Sequence, residues 1–343
     1  EIIVEGHAVG HMRGFAFAPD AEAARMDQPL ILRAARRAAR TEMPHLVARF
    51  MQADDSELAL DTETGTLSWQ GEVIARLRPG LSVLLPDITV RDAEFLDAAQ
   101  KEKIRARLGH FLTALIRREL APLYRAETAV QAHPLPRGLV HSLMEHGGVA
   151  PCPLLPPLSN AEKKLLARLH IQHTQGVLLC TRLLRPASIA LRRLLLGVRQ
   201  QTTLPPHPPA GAVSLPCPLP PNSADKAAYL GLGWLFAAQT LVRLDRVADI
   251  CTDMESLTRK GARPAPPNLA SRLGVAKKSL PVVLRALGIR LYPPAPLPDG
   301  QPGPPAPLLI LPPAHPRQPH GKPAPPAHNP PHPPRMAPGP RPA

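Results

Sequence analysis

The sequence predicts an α+β protein that is mainly helical. Three observations carry the prediction: short alternating strands punctuated by glycine before residue 92, apolar stripes at helical spacing after Asp97, and a proline excess that halts regular structure at the C-terminal end. Of 343 residues, 47 are proline, nearly three times the usual share of ~5%. Twenty-two of those prolines fall in residues 293–343, which hold one acid, Asp299. A segment so poor in donors and so restricted in φ is expected to be a disordered, basic Pro-rich tail without helix or sheet.

In chain order, strands are expected at residues 2–4 and 9–17, with glycines at 6, 10 and 14. A helix follows with Asp27 as its N-cap and Pro29 in its first turn. Its apolar positions Ile31, Ala35 and Ala38 recur at helical spacing, and Pro44 is expected to kink or restart it. A meander then covers 58–60, 67–69 and 73–77. Residues 5–15 match residues 70–81: glycines, small residues and apolar positions coincide once Pro79 is treated as an insertion. Two such copies around a helix predict a small duplicated β-hairpin unit over 1–92.

From Asp97 to residue 203 the pattern is helical. Ile104, Leu108, Phe111, Leu112, Leu115, Ile116, Leu120 and Leu123 form one stripe. Further helices are expected over 137–146, behind Ser159 (whose spacing to Glu162 makes a capping box) and over 187–200. The proline-rich stretch 204–222 is expected to be a linker. Residues 223–292 complete the folded part: a helix near Asp225, two strands around 234–242, a helix over 244–260, two short helices within 268–288 and a strand at 289–292.

Charge divides the chain. Residues 1–150 carry 18 Lys+Arg against 20 Asp+Glu, whereas residues 151–343 carry 23 against 7, so the whole formal charge of +14 comes from the second part. The cysteines Cys152, Cys180, Cys217 and Cys251 form no CxxC pair, which argues against a zinc ribbon or disulfide scaffold and favours a reducing, cytoplasmic setting. The N-terminal residues do not have the pattern of a signal peptide. The uncharged run 227–242 is too short to span a bilayer, so no membrane partner is expected. Glu rather than Met at position 1 leads to the expectation that the chain is cut from something longer.

No enzymatic constellation stands out. The chain has no GxxxxGK[ST] phosphate loop, no paired acids to hold magnesium and no GxSxG elbow. His141, Glu145 and His146 resemble a metal motif, but histidines five apart lie roughly 140° around a helix, so no metal site is expected. The basic stretches are more specific. From Lys163 to Ala224 there is no acid, yet Lys163, Lys164, Arg168, Arg182, Arg185, Arg192, Arg193 and Arg199 fall there. Crowded like charges call for an anion, and nucleic-acid phosphate matches arginine forks. The second signal is 269–288, with the rhythm of a helix-turn-helix: Gly274 at the turn, Pro281 in the first turn of the second helix, and Leu280, Val283, Leu284 and Leu287 inward. Lys277, Lys278 and Arg285 remain for phosphate or base edges, and 289–292 would begin a wing, giving a winged-helix-like unit.

Taken in order, EGHAVGHMRGFAFAPD, LALDTETGTLSWQGEVIARL, KEKIRARLGHFLTALIRRELAPL, LPRGLVHSLMEHGGV, LLRPASIALRRLLLGV, LVRLDRVADI and LASRLGVAKKSLPVVLRALGIRLY make a collinear set. They resemble the region C-terminal to the motor in bacterial superfamily-two DExH helicases related to the mitochondrial degradosome RNA helicase, over about residues 1–292. The resemblance implies ATP-dependent unwinding of RNA or DNA by two upstream RecA-like motor domains, with ATP and Mg belonging to those domains. The motor residues are missing here, so no catalytic residue carries over. What carries over is an accessory role beside the strand, with no cofactor of its own. The candidate contacts, Arg182, Arg185, Arg192, Arg193, Arg199, Lys277, Lys278 and Arg285, come from charge alone. Two alternatives remain: a stand-alone helix-turn-helix DNA-binding protein, and an interaction protein whose Pro-rich tail docks a protein partner as a polyproline helix. With only 2 Trp, 3 Tyr and 6 Phe, a row of base-stacking aromatics is poorly supported.

Overall fold

The computed structural model describes residues 2–4, 7–19, 29–206, 208–209, 211–293 and 307–312. The expected cap Asp27 and residues 294–306 and 313–343 of the tail lie outside them. The N-terminal part begins with an antiparallel sheet of β1 (Ile2–Val4), β2 (His7–Arg13) and β3 (Ala16–Pro19). Helix α1 (Pro29–Gln52) packs on it. Against expectation, α1 runs unbroken through Pro44. Met43, Leu46, Val47 and Phe50 bury one face around that proline, and their burial offsets the lost hydrogen bond.

A meander of β4 (Leu58–Leu60), β5 (Thr66–Trp69), β6 (Glu72–Ser82) and β7 (Leu85–Val90) follows. Strands β2 and β6 are the matching halves of the sequence repeat. The match ends at its last glycine: Gly14 turns the chain at φ +56°, whereas Gly80 lies inside β6, where the β6–β7 register shifts. Phe15, Phe50 and Trp69 pack ring against ring, with centroids 5.2–5.8 Å apart, and tie the first sheet, α1 and the meander into one core.

Helix α2 (Ala98–Glu119) starts at the capping box of Asp97 and Gln100 and buries Ile104, Leu108, Phe111, Leu112 and Ile116, the expected stripe. Pro122 restarts the chain as α3 (Ala121–Ala129).

Among the described residues beyond 130, one arrangement appears three times, the third with two short helices in place of its middle one. The first is α4 (Pro134–Glu145), β8 (Val149–Pro151), α5 (Asn160–Arg168), β9 (Ile171–Thr174) and β10 (Val177–Cys180). The second is α6 (Pro186–Gln200), β11 (Ser214–Pro216), α7 (Ser223–Gly231), β12 (Trp234–Ala237) and β13 (Thr240–Arg243). The third is α8 (Leu244–Thr258), β14 (Arg263–Pro264), α9 (Leu269–Leu273), α10 (Leu280–Ala286), β15 (Leu291–Tyr292) and β16 (Leu309–Ile310). All three sheets are antiparallel, with the unit's third strand between its first and second.

The likeness extends to single hydrogen bonds. The residue after the first strand donates its N–H to the residue before the third: Cys152 to Gly176, Cys217 to Gln239 and Ala265 to Leu308, each at 2.8 Å. The residue after the third strand donates to the one before the second: Thr181 to His170, Leu244 to Gly233 and Leu311 to Arg290, each at 2.9 Å. The first two units also share Pro-Cys-Pro-Leu at 151–154 and 216–219, and N-caps at Ser159 and Asn222.

These sheets differ from three sequence expectations. Residues 93–203 are not purely helical, because β8, β9 and β10 lie within them. The stretch 204–222 contains β11, a full partner of β13. Within residues 307–312 of the expected tail, Leu309 and Ile310 form β16, and Ile310 is fully buried; the aliphatic run 308–311 can fill a core that its proline neighbours cannot. Among the described residues, no helix is long and apolar enough to cross a membrane.

Gly233 holds φ +92° where α7 turns into β12, and a Cβ there would overlap the Leu184 side chain. Gly233→Ala is expected to lower stability by about 2 kcal/mol through strain and overpacking. Gly109, inside α2, has open space where a Cβ would sit, with nothing within 4 Å of that point, so Gly109→Ala is expected to raise stability by about 0.5–1 kcal/mol. Denaturant unfolding of both variants checks this pair; a neutral Gly233→Ala would contradict the assigned turn.

Candidate nucleic-acid interface

Helix α6 places the expected arginines in different environments rather than on one face. Ser188, Leu191, Arg192, Leu195 and Leu196 share its inward side, because residues three, four and seven apart stack along a helix. Arg192 is therefore fully buried and cannot reach a phosphate. Its Nε donates to the Gly147 carbonyl beyond the end of α4, and its Nη2 donates to the Gly231 carbonyl at the end of α7. Nη1 has no hydrogen-bond partner. A cation set against two helix C-termini satisfies carbonyls that the helices leave open and opposes their dipoles. Burial pulls the guanidinium down to about 10, so it stays charged at neutral pH. Burial also pushes the neighbouring Cys180 thiol up to about 11, so it stays neutral there. Arg192 is thus corrected from a candidate contact to an internal clamp.

The other four arginines of that segment reach the surface. Arg182 lies in the 3-10 turn after β10 and Arg185 caps the start of α6; both are exposed. Arg193, whose side chain is 20% exposed, pairs with Glu63 at 2.7 Å and donates to the Pro205 carbonyl. Arg199 is exposed and donates to the Gly80 carbonyl at 2.8 Å, which ties α6 to β6.

In the third unit Gly274 takes the left-handed conformation and accepts a hydrogen bond from Ser214 at 2.6 Å. Leu280, Val283, Leu284 and Leu287 are buried, the inward set the spacing predicts, with Pro281 in the first turn of α10. Lys277, Lys278 and Arg285 are all exposed, and among the described residues none pairs with a carboxylate.

Two basic residues were not among the sequence candidates. On β6, Ala75 and Leu77 face the core, which turns Arg76 and Arg78 outward on the other face. There they line a cleft of about 550 Å³ with Arg193 and the hydroxyl-bearing Thr62, Thr64 and Thr202. Neither Arg76 nor Arg78 has an ion-pair or hydrogen-bond partner among the described residues. The only acid lining the cleft, Glu63, is engaged by Arg193. The alternation of 74–78 was the available signal; what joins this strand to α6, more than a hundred residues later, is tertiary packing.

The HxxxEH segment is local. His141 pairs with Glu145 at 3.4 Å, and His146 contacts the Ser142 carbonyl. Among the described residues, no three His, Cys, Asp or Glu side chains converge on a point that would hold a metal. Comparison with protein-family models, with curated proteins and with solved structures returns no match.

Replacing Arg192 by alanine leaves the Gly147 and Gly231 carbonyls unpaired at about 1–3 kcal/mol each. Arg192→Ala is therefore expected to lose about 3 kcal/mol or more of stability, measured by urea unfolding. A variant as stable as the parent but deficient in nucleic-acid binding would return Arg192 to the surface.

Proposed function

We propose that this chain is a nucleic-acid-binding accessory region of an ATP-dependent RNA or DNA helicase, holding a strand beside upstream motor domains that carry the ATP and Mg chemistry. The observation that carries the binding part is the cleft between β6 and α6. Two unpaired guanidiniums, a third beside them and several hydroxyls suit phosphodiester oxygens, which accept both charge-assisted and neutral hydrogen bonds. The helicase part rests on the collinear resemblance over residues 1–292. The N-terminal sheets are read as a duplicated β unit and the third unit as a winged helix. That strand order and the α9–Gly274–α10 turn also favour a second reading, a stand-alone helix-turn-helix DNA-binding protein. The Pro-rich residues beyond 312 are proposed as a site for a protein partner.

Anisotropy titrations of single-stranded RNA and DNA between 50 and 200 mM salt test the proposal. Log affinity is expected to fall with log salt by about 0.7 for each phosphate contact, and Arg76→Ala/Arg78→Ala is expected to lower both the affinity and that slope on every sequence. Affinity insensitive to salt would overturn the reading. Loss confined to one duplex sequence on Lys277→Ala/Lys278→Ala would favour the stand-alone DNA binder instead.

A further inference from the structure

The three repeated units share one topology, but the helical segments ahead of their hairpins differ in formal charge: +2 over 160–168, 0 over 223–231 and +4 over 269–286. Of the seven acids in residues 151–343, Asp225 lies in α7, and Asp245, Asp249, Asp253 and Glu255 lie in α8, the first helix of the third unit. Residues 163–224 and 256–298 contain none. We propose that α5 of the first unit is a second nucleic-acid contact, equivalent to the basic segment of the third unit, and that α7, the corresponding helix of the second unit, makes no such contact. This inference rests on the nucleic-acid reading above and names a further site for it.

Position by position, the helices preceding the hairpins support this assignment. With the N-caps Ser159 and Asn222 aligned, Lys163, Lys164 and Arg168 of α5 correspond to Lys226, Ala227 and Gly231 of α7. All three α5 cations are exposed, and among the described residues none has an ion pair or a hydrogen bond to its side chain. Glu162, the acid of α5, is turned back on its own cap and accepts from the Ser159 N–H and hydroxyl, each at 2.8 Å. That leaves the outer face of α5 uniformly cationic, with Arg182 and Arg185 following the same unit's hairpin.

In α7 the same face carries one cation in place of three. Lys226 lies over the Phe236 ring with its ammonium 5.4 Å from the centroid, and Asp225 sits beside it in sequence. Gly231, where α5 has Arg168, gives its carbonyl to Arg192. α7 therefore has one cation where α5 has three, and its C-terminal end goes into the joint made by Arg192. In the third unit Lys277, Lys278 and Arg285 restore a cationic surface around the corresponding helix, with no acid nearby in sequence to offset them. Phosphodiester is the anion class that fits two separated patches of unpaired cations in one chain.

The test compares Lys163→Ala/Lys164→Ala/Arg168→Ala with Lys277→Ala/Lys278→Ala/Arg285→Ala and with Lys226→Ala, all in the full chain, on single-stranded and duplex RNA and DNA oligonucleotides. Circular dichroism melts verify that these surface changes leave the fold intact. The first triple variant is expected to weaken binding tenfold or more at 50 mM salt and to lower the salt slope by about 2, near 0.7 per contact on single strands. Lys226→Ala is expected to bind like the parent. If the first triple variant binds like the parent while the third-unit variant is impaired, the inference fails and nucleic-acid binding stands. If Lys226→Ala is as damaging as the first triple, the exclusion of α7 fails. If the parent chain itself binds none of the oligonucleotides, both readings fall together.

Discussion

A guanidinium without access to water holds the second half of this molecule together. Arg192 reaches from the middle of α6 to the ends of two other helices, one in the first unit and one in the second, and caps both. Few side chains other than arginine carry several rigidly forked donors, so no simple replacement answers two carbonyls on different elements at once. The surrounding leucines pack through apolar burial, and the guanidinium among them is tolerated because two of its three nitrogens are hydrogen-bonded. A buried cation opposed only by dipoles is costly unless its geometry is held, and the helices on either side provide that. The relative placement of the first two units follows from this contact, and with it the separation of the surface cations they carry.

The N-terminal part uses an apolar counterpart. Phe15, Phe50 and Trp69 come from a hairpin, a helix and a meander, and their mutual edge and stacked contacts fix those three elements on one core. The outward face of β6 is then free to carry Arg76 and Arg78. When α6 comes down beside it, with Arg199 held by the Gly80 carbonyl and Arg193 by Glu63, a polar cleft forms at the seam between the two halves. The cleft belongs to neither half alone.

Repetition explains the uneven charge. A unit of helix, strand, helix and hairpin recurs three times, and the copies have diverged on the surface while keeping the same closing hydrogen bonds. Backbone hydrogen bonds tolerate almost any side chain, so topology persists where sequence likeness fades. Exposed positions carry no packing constraint and are free to become basic in one copy and neutral in another. The neutral α7 between two basic helical segments is what a charge total for the whole chain averages away.

Much of the architecture was legible in the residues. Apolar spacing located α2 and its buried face, Ser159 announced the start of α5, and Gly274 with Pro281 marked the turn into α10; each is a local rule that backbone sterics and capping enforce without help from the rest of the chain. Other features were out of reach of local rules. Pro44 passes through α1 because burial on that helix outweighs its lost donor, and β11 and β16 form inside proline-rich stretches because partner strands are waiting for them. The charge of Arg192 suggested the surface, and only the packing of α6 sends it inward. By itself the sequence determined where helices and turns begin and where positive charge accumulates, since those depend on neighbours along the chain. Tertiary structure alone decided which of those charges meet solvent and which strands pair, because burial and pairing are settled between residues far apart in sequence.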